Sequence, residues 1–132
     1  MPNSRNKGAT FEREIAKLLH DDLGIGFKRD IEQYRAADHG DLIPEDPDFP
    51  FVVECKRYAK GTGCSPDWWA QAQRAAEAAG KLPCVIYKYD RREIRCVVPF
   101  TALYEAFGSA CRCDHQAELT FEAFCYLVRE MM

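Results

Sequence analysis

Asp41, Glu54 and Lys56 are two carboxylates and an ammonium on neighbouring segments that both read as strands. The run Phe51-Val52-Val53-Glu54-Cys55-Lys56 is rich in β-branched and aromatic residues. Strand alternation puts Glu54 and Lys56 on one face and Cys55 on the other. Asp41-Leu42-Ile43 reads as the preceding strand, and Pro44-Glu45-Asp46-Pro47-Asp48-Phe49-Pro50 is a turn-forming cluster between the two. The pair is expected to form a hairpin with Asp41 across from Glu54. Two hard carboxylates converging in this way suit a magnesium ion, with water, backbone carbonyl and phosphate oxygens completing its octahedron. Such an ion polarises a phosphodiester and lowers the pKa of a bound water. A lysine two residues on could hold that water or stabilise charge building on the phosphate. An ordinary cross-strand ion pair on a surface hairpin gives the same E-x-K pattern. The apolar flank Phe51-Val52-Val53 and the aspartate on the preceding strand weigh against that plainer reading.

The elements that must position these groups are legible from periodicity and punctuation. Phe11, Ile15, Leu18 and Leu19 mark a helix from about 7 to 23, stopped by Gly24 and Gly26. A short extended stretch follows at Gly26-Phe27-Lys28-Arg29, then an irregular segment through Arg35. After the hairpin, Lys60-Gly61-Thr62-Gly63-Cys64 is a loop, and Ser65-Pro66-Asp67 carries a capping serine, a proline at the first helical position and an acid in the first turn. That helix is expected to run through Ala79 to Gly80, its alanines lying close against a sheet. Cys84–Tyr89 and Ile94–Val98 read as two further strands, the second ended by Pro99. Two short helices are expected at about 101–107 and 120–130, with Thr101 and Thr120 as caps and Gly108 ending the first. The order predicts an α/β protein with a mixed central sheet flanked by helices. Residues 1–99 would form the core, and residues 100–132 a C-terminal helical extension packed on the same domain.

A chain of 132 residues is one domain's worth, and 47% hydrophobic with 30% charged residues is ordinary for a globular protein. No apolar run is long enough to span a bilayer, and no apolar segment follows the N-terminal residues, so a cytoplasmic, intracellular location without membrane contact is expected. The seven cysteines, an odd number, are expected to be free thiols in a reducing compartment. The net charge of −3 argues against a nucleic-acid partner at first sight. Its distribution weakens the objection: residues 1–99 carry 16 positive and 16 negative side chains, and residues 100–132 carry two and five. A cation bound at the carboxylates would leave the first part effectively positive.

The run Lys7-Gly8-Ala9-Thr10-Phe11-Glu12-Arg13-Glu14-Ile15 resembles the opening helix of the archaeal-type Holliday junction resolvases, where K-G-x-x-x-E-R-E-L is typical. In that branch of the PD-(D/E)xK nuclease superfamily a basic residue precedes a strand aspartate, and E-x-K lies on the next strand. Arg35, Asp41, Glu54 and Lys56 occupy matching places in matching order. The resemblance covers roughly residues 5–99. It implies a restriction-endonuclease-like fold, a homodimer, and magnesium-dependent hydrolysis of DNA, branched DNA above all, with manganese able to substitute. By the same resemblance Asp41 and Glu54 would bind the metal, Glu12 would assist directly or through water, and Lys56 would be the lysine of the motif. Arg13 and Arg35 would contact phosphate or stabilise the transition state. Two departures stand out: this chain is acidic where the resolvases are strongly basic, and it continues some thirty residues beyond the last strand.

Lys7, Arg57 and Lys60, with Arg5, Lys28 and Arg29, flank the site and could position DNA through its phosphates. Gln71 and Gln73 could reach DNA or the lysine, with solvent exposure the expectation. Trp68 and Trp69 could stack on bases, with packing on the sheet the expectation. Cys111-Arg112-Cys113-Asp114-His115 has zinc-capable residue types but no second close pair to complete four ligands. The competing readings are a nuclease acting on duplex, nicked or flapped DNA, an inactive DNA-binding module of the same fold, and, remotely, a zinc-stabilised interaction protein.

Overall fold

Apolar residues at helical spacing fix the first element of the computed structural model, which describes residues 4–30, 40–103 and 115–132. Helix α1 (Ser4–Leu23) buries Phe11, Ile15 and Leu19 on one stripe. It ends at Gly24, whose φ of 73° is a left-handed stop that a side chain would resist. Strand β1 (Phe27–Arg29) then pairs antiparallel with β2 (Leu42–Pro44), and β2 with β3 (Phe51–Tyr58) in the expected hairpin. Helix α2 (Pro66–Ala79) begins at Ser65, whose side chain accepts from the Asp67 backbone N–H, and ends at left-handed Gly80. It is the crossover between β3 and a parallel β4 (Leu82–Tyr89), paired from Phe51↔Leu82 to Tyr58↔Tyr89. Strand β5 (Arg95–Pro99) returns antiparallel to β4.

The result is a mixed α/β sheet of six strands in sequential order, β1 to β6. Alternation sorts its two faces. Val53, Cys55, Cys84, Ile86, Cys96 and Val98 form one core with Phe11, Ile15 and Leu19 of α1. On the other face Val85, Tyr87, Tyr89 and Val97 pack with Trp69 and Ala72 of α2, and Val52 with Ala75 and Ala76. The small residues of α2 let it lie close to the sheet.

The C-terminal part differs from the expected pair of helices. Residues 100–102 form a single 3₁₀ turn, Thr101 caps nothing, and 104–107 and Gly108 lie outside the described residues. A sixth strand, β6 (Gln116–Thr120), pairs with β5 from Arg95↔Thr120 to Pro99↔Gln116. It was hidden because its apolar residues are few and only half-buried at a sheet edge, where alternation is weak. Helix α3 (Phe121–Met131) does form, capped by the Thr120 side chain on the Ala123 N–H, and buries Phe124, Cys125 and Val128 in the α1 core.

Candidate active site

Asp41 enters β2 one residue ahead of the Leu42↔Val53 pair, which brings it beside Glu54. Gly40 makes this approach possible, since a Cβ there would run into the Val53 carbonyl. The Asp41 backbone N–H donates to the Val53 carbonyl at 2.9 Å, and its Oδ2 accepts from the Cys55 N–H at 2.7 Å. The aspartate is thereby fixed by the backbone of the strand that carries the other two groups. Glu54 and Lys56 share one face of β3, and Cys55 turns into the α1 core. From α2, Gln71 spans the pair: its Oε1 accepts from Lys56 Nζ at 2.9 Å and its Nε2 donates to Glu54 Oε2 at 3.4 Å.

Both carboxyls are nearly shut off from water, Asp41 at 8% and Glu54 at 3% exposure. Burial, with the Asp41 charge next to it, pushes Glu54 up to about 8. Burial also raises Asp41, opposed chiefly by the Cys55 N–H. Two buried carboxylates this close resist ionising together near neutral pH unless a cation joins them, and two hard oxygen donors fit a divalent one of the magnesium type. Glu12 of α1 is also buried, and its Oε1 accepts from Arg29 Nε at 2.9 Å. Burial raises its pKa and the Arg29 bond opposes the rise. Among the described residues no three carboxylate, histidine or cysteine side chains stand together as a ready ligand set.

The model of the family described as "Phage putative PDDEXK endonuclease" matches residues 3–128, nearly the whole chain. This chain belongs to that endonuclease family. The solved structure of Hjc, a Holliday junction resolvase of the archaeal hyperthermophile Archaeoglobus fulgidus, is similar with a TM-score of 0.57 at 15% identity. The match covers 93% of this chain and 99% of Hjc. At that identity the likeness is one of fold. No curated protein matches.

In this PDDEXK endonuclease the basic residues expected to flank the candidate site fall into different situations. Lys7 and Arg57 both pair with Asp90, at 3.0 and 2.7 Å. Arg13 and Lys60 are exposed, and Arg35 lies outside the described residues. Trp69 is buried against the sheet, and Trp68 is half-buried, stacked on Tyr58 with ring centroids 5.3 Å apart. Cys55, Cys64, Cys84, Cys96 and Cys125 are free thiols, and the Cys111–Cys113 pair lies outside the described residues. No helix of the described residues is long and apolar enough to cross a membrane.

Of two further neighbours of the candidate centre, sequence reasoning raises Gln71 as a contact to the lysine and misses Asp30. Gln71 is exposed, as expected of it, and yet it holds two of the three motif residues. Its place on the helix that follows the motif strand was the available signal. Asp30 is buried at the end of β1, its backbone N–H donating to the Asp41 carbonyl at 2.9 Å. Nothing in the local sequence marks it, because its place depends on how β1 pairs with β2.

Proposed function

We propose that this PDDEXK endonuclease hydrolyses DNA phosphodiester bonds with a divalent cation, magnesium or in its place manganese, and that branched DNA such as a four-way junction is its substrate. The observation that carries the reading is the buried Asp41–Glu54 pair with Lys56 held beside it by Gln71. Asp41 and Glu54 would hold the cation, with Glu12, which feels the Asp41 charge as a like-charge repulsion, assisting directly or through water. When bound, the cation supplies Lewis-acid polarisation of the phosphate and a more acidic water.

The protein's own groups do the positioning. The Cys55 N–H orients Asp41, Gln71 orients Glu54 and Lys56, and the Lys56 ammonium is placed to hold the attacking water or to meet negative charge on the phosphate. Burial of the carboxylates keeps competing water from their oxygens, which strengthens each contact made there. Lys7, Arg13, Arg35, Arg57 and Lys60 would contact backbone phosphates, which position DNA without reading its sequence. The preference for branched DNA rests on the opening-helix resemblance and the shared fold of Hjc. Cutting a junction symmetrically needs two active sites, which implies a homodimer.

Cleavage of a labelled four-way junction beside a linear duplex of matching sequence, with magnesium, tests the reading. Junction cutting by the wild type that disappears in Glu54→Ala is the expected result. Equal cutting of both substrates would discard the junction preference and keep the nuclease. Binding without cutting of either would replace the enzyme by a DNA-binding module.

A further inference from the structure

Asp90 follows β4 at the end of the sheet where β3 also finishes, and its backbone N–H donates to the Ala59 carbonyl at 3.2 Å. Its Oδ1 is shared by two cations from different elements, Lys7 Nζ of α1 at 3.0 Å and Arg57 Nη1 of β3 at 2.7 Å. Two positive charges meet one negative one, so the cluster stays cationic even with Asp90 ionised. The two cations hold the Asp90 carboxyl below its ordinary range. Arg57 does not depend on Asp90 for its place. Its Nη1 also donates to the Tyr58 carbonyl at 2.7 Å, and its side chain is only 15% exposed, against 43% for Asp90. The anion is therefore the more exposed partner and the guanidinium the more firmly held one. The turn continues with Arg91, the one non-glycine at positive φ among the described residues, and Arg92, both exposed. Arg57 itself follows Lys56 directly on β3.

An anionic oxygen about 3 Å from both an anchored guanidinium and an ammonium has the geometry of a phosphate contact. We propose that Lys7 and Arg57 form a binding site for a DNA backbone phosphate, and that the Asp90 carboxylate occupies that site until DNA displaces it. The inference rests on the nuclease reading above and adds to it a residue that opposes DNA binding. DNA enters by exchanging one anion for another, with the exposed carboxylate swinging into water while Arg57 stays in place. Asp90 thus lowers affinity for every DNA, and removing it raises affinity through Lys7 and Arg57 alone.

The test is fluorescence anisotropy of a labelled four-way junction on the full chain, in EDTA so that nothing is cut. Asp90→Ala is expected to tighten Kd roughly three- to tenfold at moderate salt. Glu93→Ala removes the same charge from the same turn, where Glu93 faces Arg95 at 3.6 Å, and is expected to change Kd less than twofold. In an Arg57→Ala background the gain from Asp90→Ala is expected to vanish. Asp90→Asn serves in its place should the alanine variant fail to fold. Equal gains at positions 90 and 93, a gain that survives without Arg57, or weaker binding by a folded Asp90 variant would each overturn the proposal and leave the nuclease reading intact. Absence of DNA binding by the wild type and every variant, with no cleavage in magnesium, would remove both.

Discussion

Glu54 is a carboxyl that the fold makes hard to ionise. Its pKa rises from an ordinary 4.5 to about 8, chiefly because burial penalises the charge. The folded protein therefore holds that proton more tightly than the unfolded chain does. The resulting stability is fully present below about pH 4.5 and is lost as pH rises through about 8. Metal-free protein is expected to melt at progressively lower temperature across that window, and Glu54→Gln, neutral throughout, to flatten the dependence. Thermal melts in EDTA at a series of pH values check this, and identical slopes for the two proteins would sink it. Added magnesium should restore stability most at the alkaline end, since a cation binds the ionised pair. Gln71 permits a second test at this scale. Loss of its two side-chain bonds in Gln71→Ala should lower kcat by roughly tenfold or more, with melting temperature and DNA affinity nearly unchanged. A matched fall in DNA affinity would make Gln71 a DNA contact instead of a positioning residue.

At the scale of elements, what is legible in the sequence follows from how local each signal is. The Ser65-Pro66-Asp67 start and Gly80 stop of α2 are written in adjacent residues, and the helix forms between those bounds. The hairpin of β2 and β3, and with it the meeting of Asp41 and Glu54, is equally local. Strand β6 is not, because a half-exposed edge strand is defined by its partner β5 more than by its own residues. Asp30 escapes for the same reason, and the Gln71 contact to the lysine could be raised but not decided: each reaches the site through the packing of one element on another. The segment after Pro99 supplies a test of that packing. Phe124 of α3 is fully buried, its ring 5.2 Å from that of Phe51 at the start of β3. Phe124→Ala should cost about 3–5 kcal/mol, a large share of the roughly 5–15 kcal/mol of a typical domain. Urea denaturation measures it, and a loss below about 1 kcal/mol would show that α3 is dispensable to the core.

For the whole molecule, the proposed cleavage of junctions requires two copies acting together. Sedimentation of the protein at micromolar concentration should give twice the 15.1 kDa of one chain. A monomer at every concentration, combined with junction cutting, would break the link between symmetry and substrate. The sheet also carries a property of use to anyone following its opening. Cys55, Cys84, Cys96 and Cys125 are buried in β3, β4, β5 and α3, one thiol to each element around a single core. Burial pushes the first three thiols well up and Cys125 to about 12, so in the native state they are both shielded and protonated. The reactive thiolate arises only where an element comes away from the core. Pulses of an alkylating reagent, read out peptide by peptide, would therefore time the detachment of the motif strand β3 against its neighbours. The chain carries a built-in clock for its own unfolding, with no label to introduce.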